Sequence, residues 1–539
     1  MTSGGSGKLG FWELFSIGVG GMIGGGIFAV LGLSLQLSDG AAFLAFLLAG
    51  LIALLTSYSY AKLTRRFPSE GGTIEFIVQA YGDNIVSGGL NIMLLAAYIV
   101  MIALYSHAFG SYGASVLGPR YYREAYTVLV ILVISSLTFV NLLGAKTSGR
   151  VELALVGFKL SVLIFVVIVA WGMINWSKLS PSHWPPLTNI IAGGMIIFLA
   201  YEGFELVSNA AHDASSLDTL ARALYASVIV VITVYVLVAI VASGTLTPEQ
   251  VAKARDYALA IVVEPRLGEA GFLLVVAAAL ASTGSAINAT LYGTARMSYV
   301  VAKYGQAPKI LGRRVWRGAY EGLLIIAILS LALALGATLD EISTAGSGSF
   351  LLVFASVNYA AYKLRRKTRA SPVLTLLGTI LSVAALAIML YRMAVLDREA
   401  IVLFVSLLAG SILVEFLYRK VTGRTMPRYI DERLRAREEL KERWEEWVPR
   451  LASELRKVFR EAEVYLVGGV ARGDLEGSHD VDLLVVTRER LSEEEIRRRL
   501  EAARRAARLT PYHPADIHVT TPEEKEKHLA RSRAYKKVG

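Results

Sequence analysis

The chain contains no cysteine, and charged residues make up only 18% of its 539 residues. The absence of cysteine excludes disulfide bonds, thiolate metal sites and cysteine nucleophiles. Hydrophobic residues make up 54%, which is too high for a soluble protein of this length. The first apolar stretch also lacks a basic leading segment and a small-residue cleavage site, so we expect a membrane span there and not a cleaved signal peptide.

Apolar stretches long enough to cross a bilayer recur along residues 1–420 and predict an all-α polytopic membrane unit. Lysine and arginine cluster in the loops after even-numbered spans, which predicts an integral protein of the cell membrane with both termini in the cytoplasm. The same clustering accounts for the net charge of +11 without a nucleic-acid partner. The twelve predicted spans are 11–35, 40–62, 85–116, 124–143, 151–173, 188–211, 223–244, 269–301, 321–338, 345–363, 372–391 and 399–418.

Six glycines lie between Gly18 and Gly26, inside the first span. Each glycine weakens a helix by about 1 kcal/mol relative to alanine. Since lipid offers no hydrogen-bond partner to an unwound backbone, such a break is tolerated only where it lines a cavity inside the protein. The break therefore predicts a solute site near the middle of the membrane, which is typical of a transporter.

The sixth span carries a second interruption, where Gly203 lies between Glu202 and Glu205. An ionisable group at that depth is costly and indicates a functional site. Interrupted spans one and six, five spans apart, predict two inverted repeats of five helices with the solute site between them.

Four segments, in this order, resemble the amino acid–polyamine–organocation transporters: the glycine break and the stretches 198–205, 281–308 and 349–363. The resemblance covers residues 10–420. It implies an amino acid or amine solute that is moved by alternating access, with no cofactor for this unit.

The charges of a zwitterionic solute predict where its parts bind. Its carboxylate is expected at the free N–H groups that begin the second half-helix, at Gly24, Gly25 and Gly26. Its ammonium is expected at unpaired backbone carbonyls of the two breaks, those of Met22, Ile23, Phe198 and Ala200. Three aromatic residues are expected either to line or close over the pocket or to pack in the hydrophobic core: Phe198, Tyr201 and Phe204.

Lys159 lies in the middle of the fifth span, too far from either end for its ammonium to reach water easily. In sodium-independent members of the resembled family, a fifth-span lysine places its ammonium where related transporters hold sodium. The resemblance therefore implies proton-coupled transport in which Lys159 loads and releases a proton. The alternative is a static counter-ion to a membrane carboxylate. The expected partners of Lys159 are Ser282, Thr283 and Ser285.

Glu202 occupies the variable position of the sixth-span signature and leaves three alternatives open. It favours a cationic solute such as lysine, arginine or a polyamine, or it pairs with Lys159, or it faces a closed helix interface. Glu205 matches the signature and is expected to be structural or to act in gating. His107 is either a proton relay or a hydrogen-bonded bystander.

The sequence changes in character after Leu417. Residues 421–460 are dense in charge, with apolar residues at near-helical spacing, and predict an amphipathic linker helix. Residues 461–539 predict a small cytoplasmic α/β unit with strands at 464–467, 481–486 and 515–519 and a helix at 492–509.

A glycine-rich turn and two aspartates one residue apart resemble the minimal nucleotidyltransferases of the polymerase-β-like superfamily. Such a turn lets backbone N–H groups approach phosphates, and carboxylates at alternate strand positions share a face. The resemblance implies a turn that binds a nucleotide, ATP being expected, through Gly468, Gly469 and Arg472. It also implies three catalytic carboxylates that hold Mg²⁺, those of Asp480, Asp482 and Asp516.

Three functions of the whole chain stay open. The first is a secondary transporter of amino acids or related amines, whose cytoplasmic unit regulates it by binding nucleotide or by nucleotidyl transfer. The second is a membrane-tethered nucleotidyltransferase, and the third is a solute sensor. The large share of the chain in the membrane unit favours the transporter. Its expected partners are the solute, protons, membrane lipid and a nucleotide.

Overall fold

The computed structural model describes residues 9–538 except 70, 83, 144–148, 212, 304–320, 397, 423–440, 442, 474–480, 490, 508, 510–513 and 533. The chain divides into two compact units, Met1–Arg424 and Thr425–Gly539. We call the first the membrane unit and the second the appended unit.

The membrane unit is built of helices, and helices lie at all twelve of the positions where spans are predicted. Polar residues begin several of them: the side chain of Asn84 accepts hydrogen bonds from the second and third residues of one helix, and Thr338 and Glu341 form a capping box on another. The α-helices are α1 (Phe11–Met22), α2 (Gly26–Ser38), α3 (Ala42–Arg66), α4 (Thr73–Tyr81), α5 (Ile85–Ser115), α6 (Tyr122–Leu142), α7 (Gly149–Trp171), α8 (Leu187–Phe198), α9 (Leu206–Asn209), α10 (Leu217–Thr245), α11 (Pro248–Lys253), α12 (Ala258–Val262), α13 (Glu264–Lys303, bent at Gly268), α14 (Glu321–Gly336), α15 (Leu339–Lys363), α16 (Arg365–Thr368), α17 (Pro372–Leu396) and α18 (Arg398–Thr422). The short 3₁₀ turns are Asp39–Ala41, Trp176–Leu179, Pro181–His183, Leu199–Tyr201 and Arg255–Tyr257.

Nine helical stretches in the described part of the chain are long and apolar enough to cross a membrane. These stretches agree with a polytopic membrane protein, while the count of twelve spans stays a prediction. Three helices at predicted spans are not among the nine: α1 and α14 are too short, and α15 is rich in serine and glycine. The nine are Gly26–Arg66, Ile85–Ser115, Tyr122–Leu142, Leu153–Trp171, Leu187–Asn209, Leu217–Thr245, Glu264–Ala295, Pro372–Arg392 and Ile401–Thr422.

Both predicted interruptions are present. Residues 23–25 separate α1 from α2, and α8 gives way to the turn Leu199–Tyr201 and irregular residues before α9. Around the breaks, α1 packs against α10, α7 and α9, and α2 packs against α8 and α5. One continuous apolar core joins these helices, so the two breaks lie inside the protein and not against lipid.

The appended unit is a four-stranded sheet with helices on both faces. The strands are β1 (Glu463–Val467), β2 (Val481–Val486), β3 (Ala515–Thr520) and β4 (Tyr535–Lys537), in the order β3-β2-β1-β4. The pairing of β2 with β3 is parallel and the other two pairings are antiparallel. The helices of this unit are Trp444–Val458, Gly468–Ala471, Glu493–Ala506 and Pro522–Ser532.

Alternation along the strands sorts the apolar residues to two faces. Val464, Leu466 and Leu483 pack with the helix Trp444–Val458 on one face, and Tyr465 and Leu484 pack with Leu529 on the other. Within the predicted linker, the helix Trp444–Val458 thus has an apolar side that belongs to the core of the appended unit. The sequence did not predict β4, which is three exposed residues long and carries no apolar alternation.

Candidate functional site

The last turn of α1, beside the first break, touches the second break through the backbones of Gly21 and Gly203. A Cβ added to Gly21 would lie 2.7 Å from the carbonyl oxygen of Gly203, and one added to Gly26 would lie 2.5 Å from the Cα of Ala200. Gly203 has a φ of 111°, a conformation that residues with side chains rarely adopt. Glycine at these positions therefore lets the helix ends beside the first break pack against the second break.

The first break leaves a gap in the helical hydrogen-bond ladder. The N–H of Ile23 donates to the oxygen of Val19 at 2.7 Å, and the ladder resumes where the N–H of Ala29 donates to Gly25 at 2.9 Å. Within the described residues, the N–H groups of residues 24–28 donate to no backbone carbonyl. The predicted carboxylate-binding groups, those of Gly24, Gly25 and Gly26, lie in this gap at the start of α2.

Two hydroxyl groups from other helices hold the carbonyls of the breaks. The hydroxyl of Tyr235 lies 2.8 Å from the carbonyl oxygen of Met22 and 3.2 Å from that of Ala200, so it links the two breaks. The hydroxyl of Ser282 lies 2.7 Å from the oxygen of Gly24 and 3.1 Å from that of Ile23. Sequence reasoning did not select Tyr235. The only feature of the sequence that could have indicated it is a tyrosine hydroxyl within the largely aliphatic seventh span.

The three predicted aromatic residues are fully buried, and none is among the described residues that line the cavity beside the breaks. Phe198 and Phe204 pack edge-on or tilted against Phe354, with ring centroids 6.0 and 5.3 Å away. The hydroxyl of Tyr201 donates to the carbonyl of Phe46 at 3.0 Å. In this conformation all three pack in the core around the site.

A cavity of about 490 Å³ lies beside the breaks. It is lined by Gly21, Glu202 and Gly203 at the breaks, and it extends to Leu9 and to the exposed side chain of Asp213. Among the described lining residues the only carboxylates are those of Glu202 and Asp213, and there is no lysine, arginine or histidine. Polar and aromatic residues of other helices also line it, including Tyr98, Tyr105, Asn141, Ser285 and Asn288.

The two carboxylates of the sixth-span break differ in their surroundings. Glu205 Oε1 accepts a hydrogen bond from the Tyr98 hydroxyl at 2.7 Å, and its Oε2 accepts one from the N–H of Gly203 at 2.8 Å. Glu202 is 1% exposed, and neither of its carboxylate oxygens has a hydrogen-bond partner among the described residues. Glu205 is thus positioned by the fold, whereas Glu202 lines the cavity.

Lys159 is fully buried on α7, which packs against α1, α10 and α13. The three hydroxyl residues predicted as its partners lie on α13 but make different contacts. Ser282 binds the first break, Thr283 donates to Ala279 of its own helix at 2.7 Å, and Ser285 lines the cavity.

His107 belongs to a polar cluster that does not line the cavity. Its Nδ1 lies 2.8 Å from the Tyr126 hydroxyl and its Nε2 lies 3.4 Å from Asp256, whose other oxygen lies 3.1 Å from Arg255 Nε. Burial raises the pKa of the Asp256 carboxyl, but His107 and Arg255 together hold that pKa below its usual range. Arg255 also binds Asp340 at 2.9 Å, so the cluster ties α5, the turn Arg255–Tyr257 and α15 together.

A second candidate site lies on the sheet of the appended unit. Asp482 on β2 and Asp516 on β3 are direct partners in the parallel register, and His518 follows on the same face of β3. Ligand atoms of the three residues lie within 4.8 Å of one another, and His518 Nε2 is 3.2 Å from Asp516. Asp480, the remaining predicted carboxylate, lies outside the described residues.

The donor set of this site fits a divalent cation, because carboxylate oxygens suit Mg²⁺ and Mn²⁺ and an added imidazole is compatible with Mn²⁺. Sequence reasoning missed His518, although its position two residues after Asp516 on a predicted strand places it on the same face.

The predicted nucleotide-binding turn adjoins the site. Gly468 has a φ of 79°, and a Cβ added there would collide with the carboxylate of Asp482. Gly469 follows in the short helix Gly468–Ala471. The guanidinium of Arg472 donates to the carbonyl of Ser532 at 2.8 Å, so it is fixed to the end of the helix Pro522–Ser532.

Comparison with known proteins agrees with the division of the chain into a membrane unit and an appended unit. A family model described as amino acid permease matches residues 9–413, and one described as nucleotidyltransferase domain matches residues 448–538. An uncharacterized protein of Methanocaldococcus jannaschii is 33% identical over 420 residues, which cover 78% of this chain and 97% of that protein.

Two further relatives have names that refer to transport. The inner membrane transport protein YbaT of Escherichia coli is 29% identical over 423 residues, covering 78% of this chain and 98% of that protein. The branched-chain amino acid permease BcaP of Bacillus subtilis is 24% identical over 442 residues, covering 77% and 93%. With the paired helix breaks and the carboxylates of the appended sheet, these matches show that the chain belongs to the amino acid permease family and carries a nucleotidyltransferase domain.

Proposed function

We propose that the protein is a secondary active transporter of amino acids or closely related amines that works by alternating access. The observation that carries this proposal is the contact of Gly21, beside the first break, with Gly203 of the second break, next to a cavity of about 490 Å³. The names of two relatives, a transport protein and a branched-chain amino acid permease, support an amino acid solute.

We place the solute between two inverted five-helix repeats within twelve spans. Its carboxylate binds the N–H groups of Gly24, Gly25 and Gly26, where the dipole of α2 adds a favourable field. Each backbone carbonyl has two acceptor lone pairs, so the oxygens of Met22 and Ala200 keep one for the ammonium of the solute while they accept from Tyr235.

Both termini are proposed to be cytoplasmic, as the basic loops indicate. The cavity then extends from the breaks to the cytoplasmic end, where Leu9 and Asp213 lie. This conformation is inward-facing in the proposed cycle.

Proton coupling is proposed to depend on Lys159. Its burial on a helix that packs against both α1 and α13 supports this role, because a change in its charge would act directly on the helices that carry the first break and Ser282. Transport is then independent of sodium.

The appended unit is proposed to bind Mg²⁺ and a nucleotide and to regulate the transporter. Asp480, Asp482 and Asp516 would hold the metal, which stabilises charge during in-line transfer of a nucleotidyl group. The turn at Gly468 and Gly469 would hold phosphates. The position of Asp482 and Asp516 on one face of the sheet supports this proposal. The same observation favours a second candidate function, that of a membrane-tethered nucleotidyltransferase.

Counterflow in proteoliposomes tests the transport proposal. The purified protein is reconstituted with unlabelled solute inside, and the entry of labelled amino acids and amines is measured. Entry of at least one labelled solute, dependent on the internal pool, is the expected result. Absence of exchange for every solute, with binding still detectable, would contradict the proposal and favour a sensor.

The double variant Asp482→Asn with Asp516→Asn separates the roles of the appended unit. A change in the rate of uptake is expected if the unit regulates the transporter. Unchanged uptake together with loss of nucleotidyl transfer would instead assign the unit as a separate enzyme on the same chain.

A further inference from the structure

Glu202 is a carboxylate in an unusual position: fully buried, at the surface of a cavity, and without a hydrogen-bond partner among the described residues for either oxygen. Burying such a group without a partner is costly. Three residues further on, Glu205 avoids this cost through Tyr98 and the N–H of Gly203. The fold therefore satisfies one carboxylate of the break and leaves the other facing the cavity.

The charge of the cavity is of one sign. Glu202 lies at the breaks and Asp213 lies exposed at the far end, and the described lining contains no lysine, arginine or histidine to balance them. Carboxylates at both ends of a low-dielectric passage concentrate cations within it. A zwitterion without net charge offers no further cation to these carboxylates.

Two other roles of Glu202 do not fit the structure. An ion pair with Lys159 would place its ammonium on the Glu202 carboxylate, and neither oxygen of that carboxylate has a hydrogen-bond partner among the described residues. A closed helix interface is excluded in this conformation because Glu202 lines a cavity.

We propose that Glu202 binds a second positive charge of the solute, an alkylammonium or guanidinium group, and makes the transporter selective for solutes with a net positive charge. This inference rests on the proposed transport function. The N–H groups of residues 24–26 and the carbonyls of the breaks account for a carboxylate and an α-ammonium, and Glu202 accounts for the additional cation. Diamino acids and polyamines carry the required group.

Matched solute pairs test the inference on the unmodified protein. Lysine and norleucine have chains of similar length but differ in the terminal ammonium, and arginine and citrulline differ in the guanidinium charge. We expect lysine and arginine to compete for counterflow at concentrations at least tenfold lower than their neutral partners. Putrescine tests whether the carboxylate of the solute is also needed. Equal competition by the neutral partners would overturn the inference.

Glu202→Gln removes the charge and keeps the shape. It is expected to abolish the tenfold preference for lysine over norleucine while norleucine uptake persists. Glu249→Gln, which removes a charge from the exposed helix α11, is expected to keep the preference. The inference would be contradicted if Glu202→Gln kept the preference for lysine over norleucine. It would also be contradicted if the variant lost only pH-driven accumulation, because Glu202 would then act as a proton carrier. If the unmodified protein exchanges no solute, the transport proposal itself fails.

Discussion

Gly21 and Gly203 are in backbone contact, although 182 positions separate them in the chain. A Cβ on Gly203 would lie 2.7 Å from the Cα of Gly21, and one on Gly21 would lie 2.7 Å from the oxygen of Gly203. The contact places the last turn of α1, beside the first break, against the second break. The glycines that are unusual inside apolar spans therefore lie at the site proposed for the solute.

Gly203→Ala is expected to reduce transport at least tenfold. The new Cβ would collide with Gly21, and a φ of 111° costs a residue with a side chain about 1–3 kcal/mol. Counterflow measures the effect. Gly410→Ala is the matched control, because a Cβ there meets no atom within 4 Å. Equal activity of the two variants would show that the contact is not needed.

Tyr235→Phe is expected to lower both stability and solute affinity. The change removes the hydroxyl that lies near the carbonyls of Met22 and Ala200, and buried carbonyls left without a donor cost about 1–3 kcal/mol. Thermal unfolding and solute binding of the purified protein measure the two effects. Tyr391→Phe, at an exposed position on α17, is expected to change neither. A normal solute affinity in Tyr235→Phe would contradict the proposed arrangement of the breaks.

Lys159→Gln is expected to abolish accumulation driven by a pH gradient while counterflow of the same solute persists. Exchange needs no net proton movement, whereas accumulation does. Lys253→Gln, at an exposed position in α11, serves as the control. Accumulation by Lys159→Gln at the rate of the unmodified protein would assign Lys159 as a static residue.

Asp482→Asn is expected to weaken Mn²⁺ binding by the appended unit at least tenfold, because it removes one of the clustered donors. Electron paramagnetic resonance of the full-length protein titrated with Mn²⁺ measures the affinity. His518→Gln is expected to remove a nitrogen coupling from the Mn²⁺ spectrum, and His528→Gln is expected to keep it. Unchanged spectra in both Asp482→Asn and His518→Gln would place the metal elsewhere.

Glu463 gives the appended unit a pH-dependent contribution to stability. Hydrogen bonds from Lys525, Lys537 and Tyr465 lower the pKa of Glu463 to about 2. A lowered pKa in the folded state stabilises the fold above the ordinary pKa of a glutamate, about 4.3, and this contribution is lost as the pH falls towards 2. Because the side chain is 37% exposed, we expect at most about 1 kcal/mol.

Hydrogen exchange of β1 and β4 in the full-length protein measures this contribution. Glu463→Gln is expected to exchange faster than the unmodified protein at pH 7, and the difference is expected to shrink between pH 4 and pH 2. A difference that stays constant over this range would exclude the carboxylate as its source.

The two helix breaks could be predicted from sequence because glycine and buried acidic residues are rare inside apolar spans. Their interactions could not be predicted, since the partners come from distant helices. Tyr235 lies 213 positions from Met22, and Ser282 lies 258 from Gly24. Sequence reasoning selected Ser282 as a partner of Lys159 and did not predict that its hydroxyl binds the first break.

The alternatives for Glu202 show a similar limit. Its place in an apolar span indicates a functional residue, but only the arrangement of several helices shows whether such a carboxylate meets a lysine, an interface or a cavity. In the appended unit, the face shared by Asp482 and Asp516 follows from strand alternation and parallel register. His518 obeys the same rule and was missed because aspartates alone were considered.

Accumulation in sodium-free proteoliposomes under an imposed pH gradient tests whether the protein couples solute transport to protons. With the interior alkaline, we predict that labelled lysine or arginine rises above its external concentration and that a protonophore abolishes the rise. No accumulation of any amino acid or amine under the gradient, or accumulation only when sodium is added, would contradict proton-coupled transport through the paired breaks.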